Sequence, residues 1–367
     1  MHLSHPETAS TTMYAAPIIF DRNAHTVAAI VRVADILWCA AGISGLYRNS
    51  TIAPPTSVYA LPLELVDRVG GWDTNAEAIG EDLHMFIKCF FAVNGNLTCR
   101  SVMSPVSQTN VSACKGGGIR GSFADVQARY KQALRHMWGS LDSGFAIRKV
   151  FEVWRERKHT TRAFPPLHKN TGEGSSFYIT ENQTAASDTD ATASNGIFSD
   201  VTQDTLKEPH WERITYLMLR LYEAHFVPTH MMILVLASGL YMWAADGKQD
   251  PHHLGWIFTA CNVLRTLGFM FVAIYLWMYE SYHRICVRAR ETEMRNAGLD
   301  QGMCFSHRSL REKFIDYGLI PLVAPIFGSI PAAQAELTHF WTAELTYTVS
   351  KKTSRQRAKS VTADHMA

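Results

Sequence analysis

At 367 residues, 47% of them hydrophobic, and with a formal net charge of +2, the chain has material for two or three domains and shows no bias toward a nucleic-acid partner. Seven cysteines without a C-x-x-C pair argue against a disulfide framework or a zinc knuckle and fit reduced thiols in a cytosolic domain. A mean hydropathy of −0.07 averages a polar tract over 159–210 with nearly continuous apolar runs over 226–243, 254–279 and 317–333, so local pattern decides the class.

Residues 1–12 read as a flexible N-terminus, polar at its start and without a signal-peptide apolar region. Sequons at Asn49, Asn96, Asn110 and Asn182 read as chance matches, because glycosylation needs a luminal location. The stretch 27–47 is long and apolar, but Arg32 and Asp35 at its middle would each cost about 2.5–3.5 kcal/mol at a bilayer centre. Spaced three apart, the two charges are expected to pair on one face of a buried or membrane-surface helix. Next come a short strand over 57–61, a helix over 63–69 ended by Gly70-Gly71, a helix over 78–93 capped by Gly95, and a strand over 97–106. Lys115-Gly116-Gly117-Gly118 lacks phosphate-loop spacing and reads as a linker. A helix over 123–137 follows. Phe145, Ile147, Val150, Phe151 and Trp154 then recur at helical spacing among Arg148, Lys149, Arg155 and Arg157, the pattern of a basic amphipathic helix on a membrane surface. Residues 13–158 thus form one folded region.

The tract 159–210 has no hydrophobic periodicity and reads as a disordered linker; Asp188-Thr189-Asp190 inside it cannot hold two carboxylates rigidly. The runs 226–243 and 254–279 are long enough to span a bilayer core, carry aromatics near their ends, and define a membrane region over 211–350. Arg265 in the second is costly unless it faces a partner or a polar channel. Arginines between 284 and 311 outweigh the single Lys248 of the short hairpin, which places the basic stretch and the folded region on the cytosolic side. The run 317–333, broken by Pro321, Pro325 and Pro331, reads as a re-entrant segment or a third span, the re-entrant form keeping the basic tail 351–367 cytosolic.

Two motifs lie about 50 residues apart. Gly80-Glu81-Asp82 follows Gly70-Gly71-Trp72-Asp73, and Gln132-Ala133-Leu134-Arg135-His136-Met137-Trp138-Gly139 precedes the apolar runs. A carboxylate at a helix start beside apolar Ile79 and Leu83 can have a raised pKa. Gln132 and Arg135 stand one helical turn apart and point the same way, and the guanidinium fork suits phosphate oxygens. In order, spacing and context the pair resembles the xED and QxxRW motifs of the membrane-bound family 2 glycosyltransferases, the cellulose, chitin and hyaluronan synthase type.

The resemblance covers roughly 13–158 and 211–350. It implies an α/β fold, a partial GT-A domain, followed by an α-helical transmembrane region. It also implies inverting transfer from a nucleotide-sugar to a glycan or lipid acceptor. It makes Asp82 the base with Glu81 beside it, and places Gln132, Arg135, His136, Trp138, Trp72 and Asp73 on the substrate side. The family's Trp is His136 here, so an indole platform is lost or moved to Trp138. No D-x-D precedes Glu81, so the Mg2+ or Mn2+ of the full-length family finds no ligands, and the chain is expected to lack the donor half and not to turn over alone. The other reading is a catalytically inactive membrane subunit that binds a glycan or, as an oligomer, a full-length synthase partner.

Overall fold

A computed structural model of the chain describes residues 6–45, 52–73, 80–113, 118–156, 208–245, 255–309 and 313–342. After a 3-10 turn (Pro6–Thr11) come β1 (Thr12–Ala15), β2 (Ile18–Phe20), α1 (Ala29–Trp38), α2 (Ala40–Ile43), β3 (Tyr59–Ala60) and α3 (Leu63–Arg68). Then follow α4 (Glu81–Ala92), β4 (Thr98–Ser101), β5 (Val106–Gln108), α5 (Gly118–Met137) and α6 (Ser140–Glu156). The apolar half holds α7 (Trp211–His225), α8 (Val227–Ala245), α9 (Gly255–Asn296), α10 (Phe314–Gly318), α11 (Ile320–Ala324), a π-helical turn (Pro325–Ser329) and α12 (Ile330–Thr338). The linker 159–207, with its Asp188-Thr189-Asp190, the Lys115-Gly116-Gly117 run and the tail 351–367 lie outside the described residues.

Residues 6–12 form the 3-10 turn and enter β1, which corrects that part of the flexible N-terminus expected over 1–12; residues 1–5 lie outside the described residues. Thr12 is buried and in register with Thr98 across a parallel β1–β4 pair. β3 pairs antiparallel on the other side of β1, giving the order β3-β1-β4, while β2 pairs parallel with β5 in a separate two-stranded sheet. The single strand expected over 97–106 is therefore two. Pro105 and Pro17 have no N–H to give, and both partners break at their proline before pairing resumes with Val106 N–H on the Pro17 carbonyl at 2.8 Å.

Helix α4 runs through the main core. Met85, Phe86, Ile87, Cys89 and Phe90 are fully enclosed, with Leu65 and Val66 from α3, Ala146 and Val153 from α6, and Ile214, Leu217 and Leu221 from α7. A helix with nearly consecutive buried positions is apolar all round, which is why it reads as an apolar run rather than a stripe. Each buried phenylalanine adds roughly 1.5–3 kcal/mol. The helix ends where Asn94 and Gly95 take positive φ, and the Gly95 N–H reaches the Phe90 carbonyl at 2.8 Å, as a glycine cap requires.

Helix α1 is buried from Val31 to Ile36 and is not a span. Its two charges do not pair with each other. Arg32 makes a bidentate contact with Asp316 at 2.7 Å for both bonds, and Asp35 meets Arg129 Nε and Asn110 Nδ2, each at 2.7 Å. A buried charge has to satisfy all its donors or lone pairs, and a three-residue neighbour on the same helix offers too few. Asp316 also takes Arg308 at 3.0 Å, and Arg308 reaches Glu280, which Tyr317 bonds as well. One ionic network thus ties α1 to α9 and α10.

Two helical stretches, Thr259–Asn296 and Ile320–Thr338, are long and apolar enough to cross a membrane, and α7 with α8 forms a third candidate bent by 51°. Leu234, Val235, Leu236 and Leu240 on α8, and Leu264, Phe269, Met270 and Phe271 on α9, face outward. At 42 residues α9 is roughly 63 Å long, about twice a bilayer core. Its second half docks on the motif domain, where Tyr279 and Cys286 join Ile18, Ile19, Ile36 and Ile43 in a second core. The last apolar stretch runs helically from Ile320 to Thr338 without the reversal a re-entrant hairpin needs; the π turn absorbs its prolines. Its side chains pack on the motif domain, Val323 and Phe327 against Val33, Ala34 and Ala133, with Tyr130 donating to Gln334 at 2.7 Å.

Candidate active site

The first motif opens α4. Gly80 is its N-cap, and Glu81 and Asp82 fill the first turn, where the helix dipole favours negative charge. Asp82 Oδ1 accepts the Leu83 N–H at 2.9 Å. Burial works against the charge more strongly: it pushes the Asp82 carboxyl from 3.8 up to about 6, with Glu81 adding to the rise and the Leu83 bond and Arg135 opposing it. Glu81 is exposed.

The second motif ends α5 and begins α6. Arg135 of this motif lies within electrostatic reach of Asp82, so the fold brings the two motifs to one place. Gln132 Oε1 and His136 Nδ1 are buried atoms without a hydrogen-bond partner, on the same helix face four residues apart. His136 stacks on Trp38, centroids 3.9 Å apart and planes at 19°, and burial with Arg129 and Arg135 nearby holds its pKa well below the usual histidine value. Trp138 is 3% exposed and packs edge-on against His339 at 4.6 Å. That corrects the expectation that Trp138 replaces the lost indole platform, because no face of it is open. Arg129, three residues before Gln132 on α5, is buried on Asp35 and donates to the Ala34 carbonyl at 3.2 Å.

The glycine seven residues after Gln132 has a steric reason. A Cβ on Gly139 would stand 3.1 Å from both the His136 carbonyl oxygen and His225 Nε2, so a side chain there would press on both and move them by a few tenths of an ångström. Through that turn α6 returns Asp142 to α4. His84 Nδ1 lies 2.6 Å from Asp142 Oδ1, its Nε2 lies 3.4 Å from Asp73 Oδ2, and the Phe145 ring covers it at 4.5 Å. Burial raises the Asp142 carboxyl and the His84 bond opposes the rise. Asp73 is enclosed, whereas Trp72 beside it is 54% exposed, its ring 6.1 Å from that of Tyr59. Sequence reasoning reached Asp73 but missed His84 and Asp142. An unpaired histidine two residues after Asp82 on an otherwise apolar helix is the one local signal, and its partner lies 58 residues away.

Among the described residues no group of three or more His, Cys, Asp and Glu is arranged to hold a metal ion. Asp73, His84 and Asp142 come nearest in composition, but they are not arranged around a common point that could hold a cation. The Mg2+ or Mn2+ implied by the resemblance does not fit them.

The chain belongs to the glycosyl transferase family group 2: that family's model matches residues 3–279, which include both motifs, α8 and most of the outward-facing part of α9. No curated protein and no solved structure matches it. Membership makes glycosyl transfer the chemistry of the fold, with a nucleotide-sugar and an acceptor as the substrate classes.

Proposed function

We propose that this chain carries out, at the junction of α4 and α5, an inverting sugar transfer at a membrane surface. Asp82 takes the proton of the acceptor hydroxyl while that oxygen bonds to the anomeric carbon. The bond from that carbon to the diphosphate oxygen breaks, and its electron pair leaves on the nucleoside diphosphate, which Arg135 and Gln132 receive. The observation that carries this reading is a carboxyl raised to about 6 within electrostatic reach of a guanidinium from the second motif. Such a group is still ionised at pH 7 yet is a stronger base than an ordinary aspartate. Glu81 adds the neighbouring charge, and Trp72 and Asp73 border the site on the acceptor side.

In this reading α8 and the first part of α9 cross the bilayer, and the motif domain lies on the cytosolic face. Ile147, Phe151 and Trp154, exposed along one side of α6 beside Arg148 and Arg155, rest on the lipid headgroups. The stretch Ile320–Thr338 stays on the motif-domain side, packed on α1 and α5 and on the first turn of α8, where Thr229 donates to Glu336 at 2.9 Å. That keeps the basic tail cytosolic, in line with the positive-inside rule.

A second reading, a family member that binds a glycan or a synthase partner without transfer, is favoured by one observation, the lack of a fit for a divalent cation among the described residues. The test is release of nucleoside diphosphate by the full chain in detergent, with a panel of nucleotide-sugars and oligosaccharide acceptors. Transfer that falls roughly a hundred- to ten-thousand-fold in Asp82→Asn supports the first reading. An Asp82→Asn variant that keeps more than about a tenth of the rate removes Asp82 from the mechanism. Oligosaccharide binding without release from any donor selects the second.

A further inference from the structure

Three aromatic side chains stand near the two motifs as candidate floors for a sugar ring, and two of them are already occupied. His136 lies flat on Trp38 at 3.9 Å, and Trp138 is closed in against His339. Trp72 is open. The residue after it, Asp73, is buried and held 3.4 Å from His84 Nε2, and the other nitrogen of that ring is held at 2.6 Å by Asp142. His84 is two residues beyond Asp82 in the first turns of α4. The open indole is therefore tethered, through its neighbour, to the helix that bears the proposed base. Tyr59 stands beside it, rings 6.1 Å apart and tilted by 52°.

We propose that Trp72, with Tyr59 at its side, is the platform for a neutral pyranose ring of the acceptor. This rests on the transfer reading above and names its substrate class. A pyranose has an apolar C–H face and a rim of hydroxyls, and the site has the complement of both: an aromatic face with carboxylates around it. Glu81, Asp82 and Asp73 all act on the Tyr59 hydroxyl, and they and burial raise its pKa to about 12, so it stays a hydrogen-bond donor. A wholly apolar ligand would strip water from Glu81, the exposed one of these carboxylates, with nothing in return. A uronate or phosphate would meet like charge there, with Arg135 turned to the departing diphosphate.

The probes are neutral pentasaccharides of the cello-, chito-, β-1,3-gluco- and manno- series, with a galacturonate pentasaccharide as the acidic comparison, titrated into the detergent-solubilised full chain by calorimetry. At least one neutral probe should bind and the acidic one should bind more weakly than it. Trp72→Ala should raise the Kd about tenfold or more, the loss of one aromatic contact, while Trp72→Phe stays within about threefold. Trp72 is half exposed, so an unchanged melting temperature establishes that the Ala variant is folded. Under turnover, Trp72→Ala should raise the acceptor KM at constant kcat, whereas Asp82→Asn lowers kcat. Binding by Trp72→Ala equal to wild type, or no neutral probe bound, overturns the platform. Tighter binding of the acidic probe overturns the assignment of a neutral acceptor. An unchanged acceptor KM in Trp72→Ala with Asp82-dependent transfer refutes the platform alone and leaves the base in place.

Discussion

Replacing Asp82 by Asn should make the folded protein more stable at neutral pH, whatever it does to activity. The carboxyl titrates at about 6 in the native state and at 3.8 when unfolded, a difference of roughly two units. At about 1.4 kcal/mol per unit, ionisation of Asp82 costs the native state about 2–3 kcal/mol once partial solvent contact is allowed for. The sign follows from proton uptake. Between the two values the folded chain binds more protons than the unfolded one, so this group's contribution is fully present below pH 3.8 and is lost as pH rises through about 6. Asn keeps an oxygen for the Leu83 N–H and carries no charge. Thermal melts of both proteins from pH 4 to pH 8 isolate the effect of Asp82 and the charges it acts on, because groups away from it titrate alike in the two. The variant should melt a few degrees higher at pH 8, with the gap closing to under about 1 kcal/mol at pH 4. A gap that does not change with pH, or a less stable variant at pH 8, refutes the claim that burial of an ionisable Asp82 strains this site.

Three further outcomes follow from the same geometry. With Asp82 as the base, kcat/KM for the acceptor should rise as pH increases through about 6 and level off above it; a flat profile from pH 5 to 7 counts against the assignment. Asp316→Ala leaves Arg32 and Arg308 without their shared carboxylate and should cost about 3–5 kcal/mol, read as a lower melting temperature that Arg32→Met partly restores. In a Cys-free background, single cysteines at 248, 288 and 359 should be labelled from outside intact vesicles at 248 alone. Labelling at 359 means that Ile320–Thr338 crosses, and labelling at 288 inverts the topology.

What could be read along the chain was what local spacing controls. The helix after Gly80, the helix bearing Gln132 and Arg135, the stop at Gly95 and the apolar length of α8 all depend on residues within a few turns of one another. The pairing of charges does not. Arg32 and Asp35 stand at a spacing that suits an ion pair, yet their partners lie 284 and about 90 residues away, and only the packed structure shows that those partners satisfy more of each charge. The same holds for the site. Asp82 and Arg135 were visible as motifs, whereas the contact of His84 with Asp142 joins residues 58 apart through the tight turn at Gly139. Whether the indole platform is lost or moved to Trp138 was open in the sequence, because spacing says nothing about the His339 ring packed over Trp138.

The ionic network of Arg32, Asp316, Arg308 and Glu280 has a consequence for how the protein is made. Arg32 leaves the ribosome 284 residues before Asp316, and at common elongation rates that interval is roughly 15–60 s. Through it α1 carries a guanidinium without its carboxylate partner, at a cost on the order of the 3–5 kcal/mol of a broken buried pair, so the packing around α1 is completed only once α9 and α10 exist. The motif domain is therefore less stable until the apolar half has been made. Truncation anywhere before Asp316 should therefore yield an unfinished domain rather than a smaller one, and a cell that synthesises the full chain has to keep that half from aggregating until its last partner arrives.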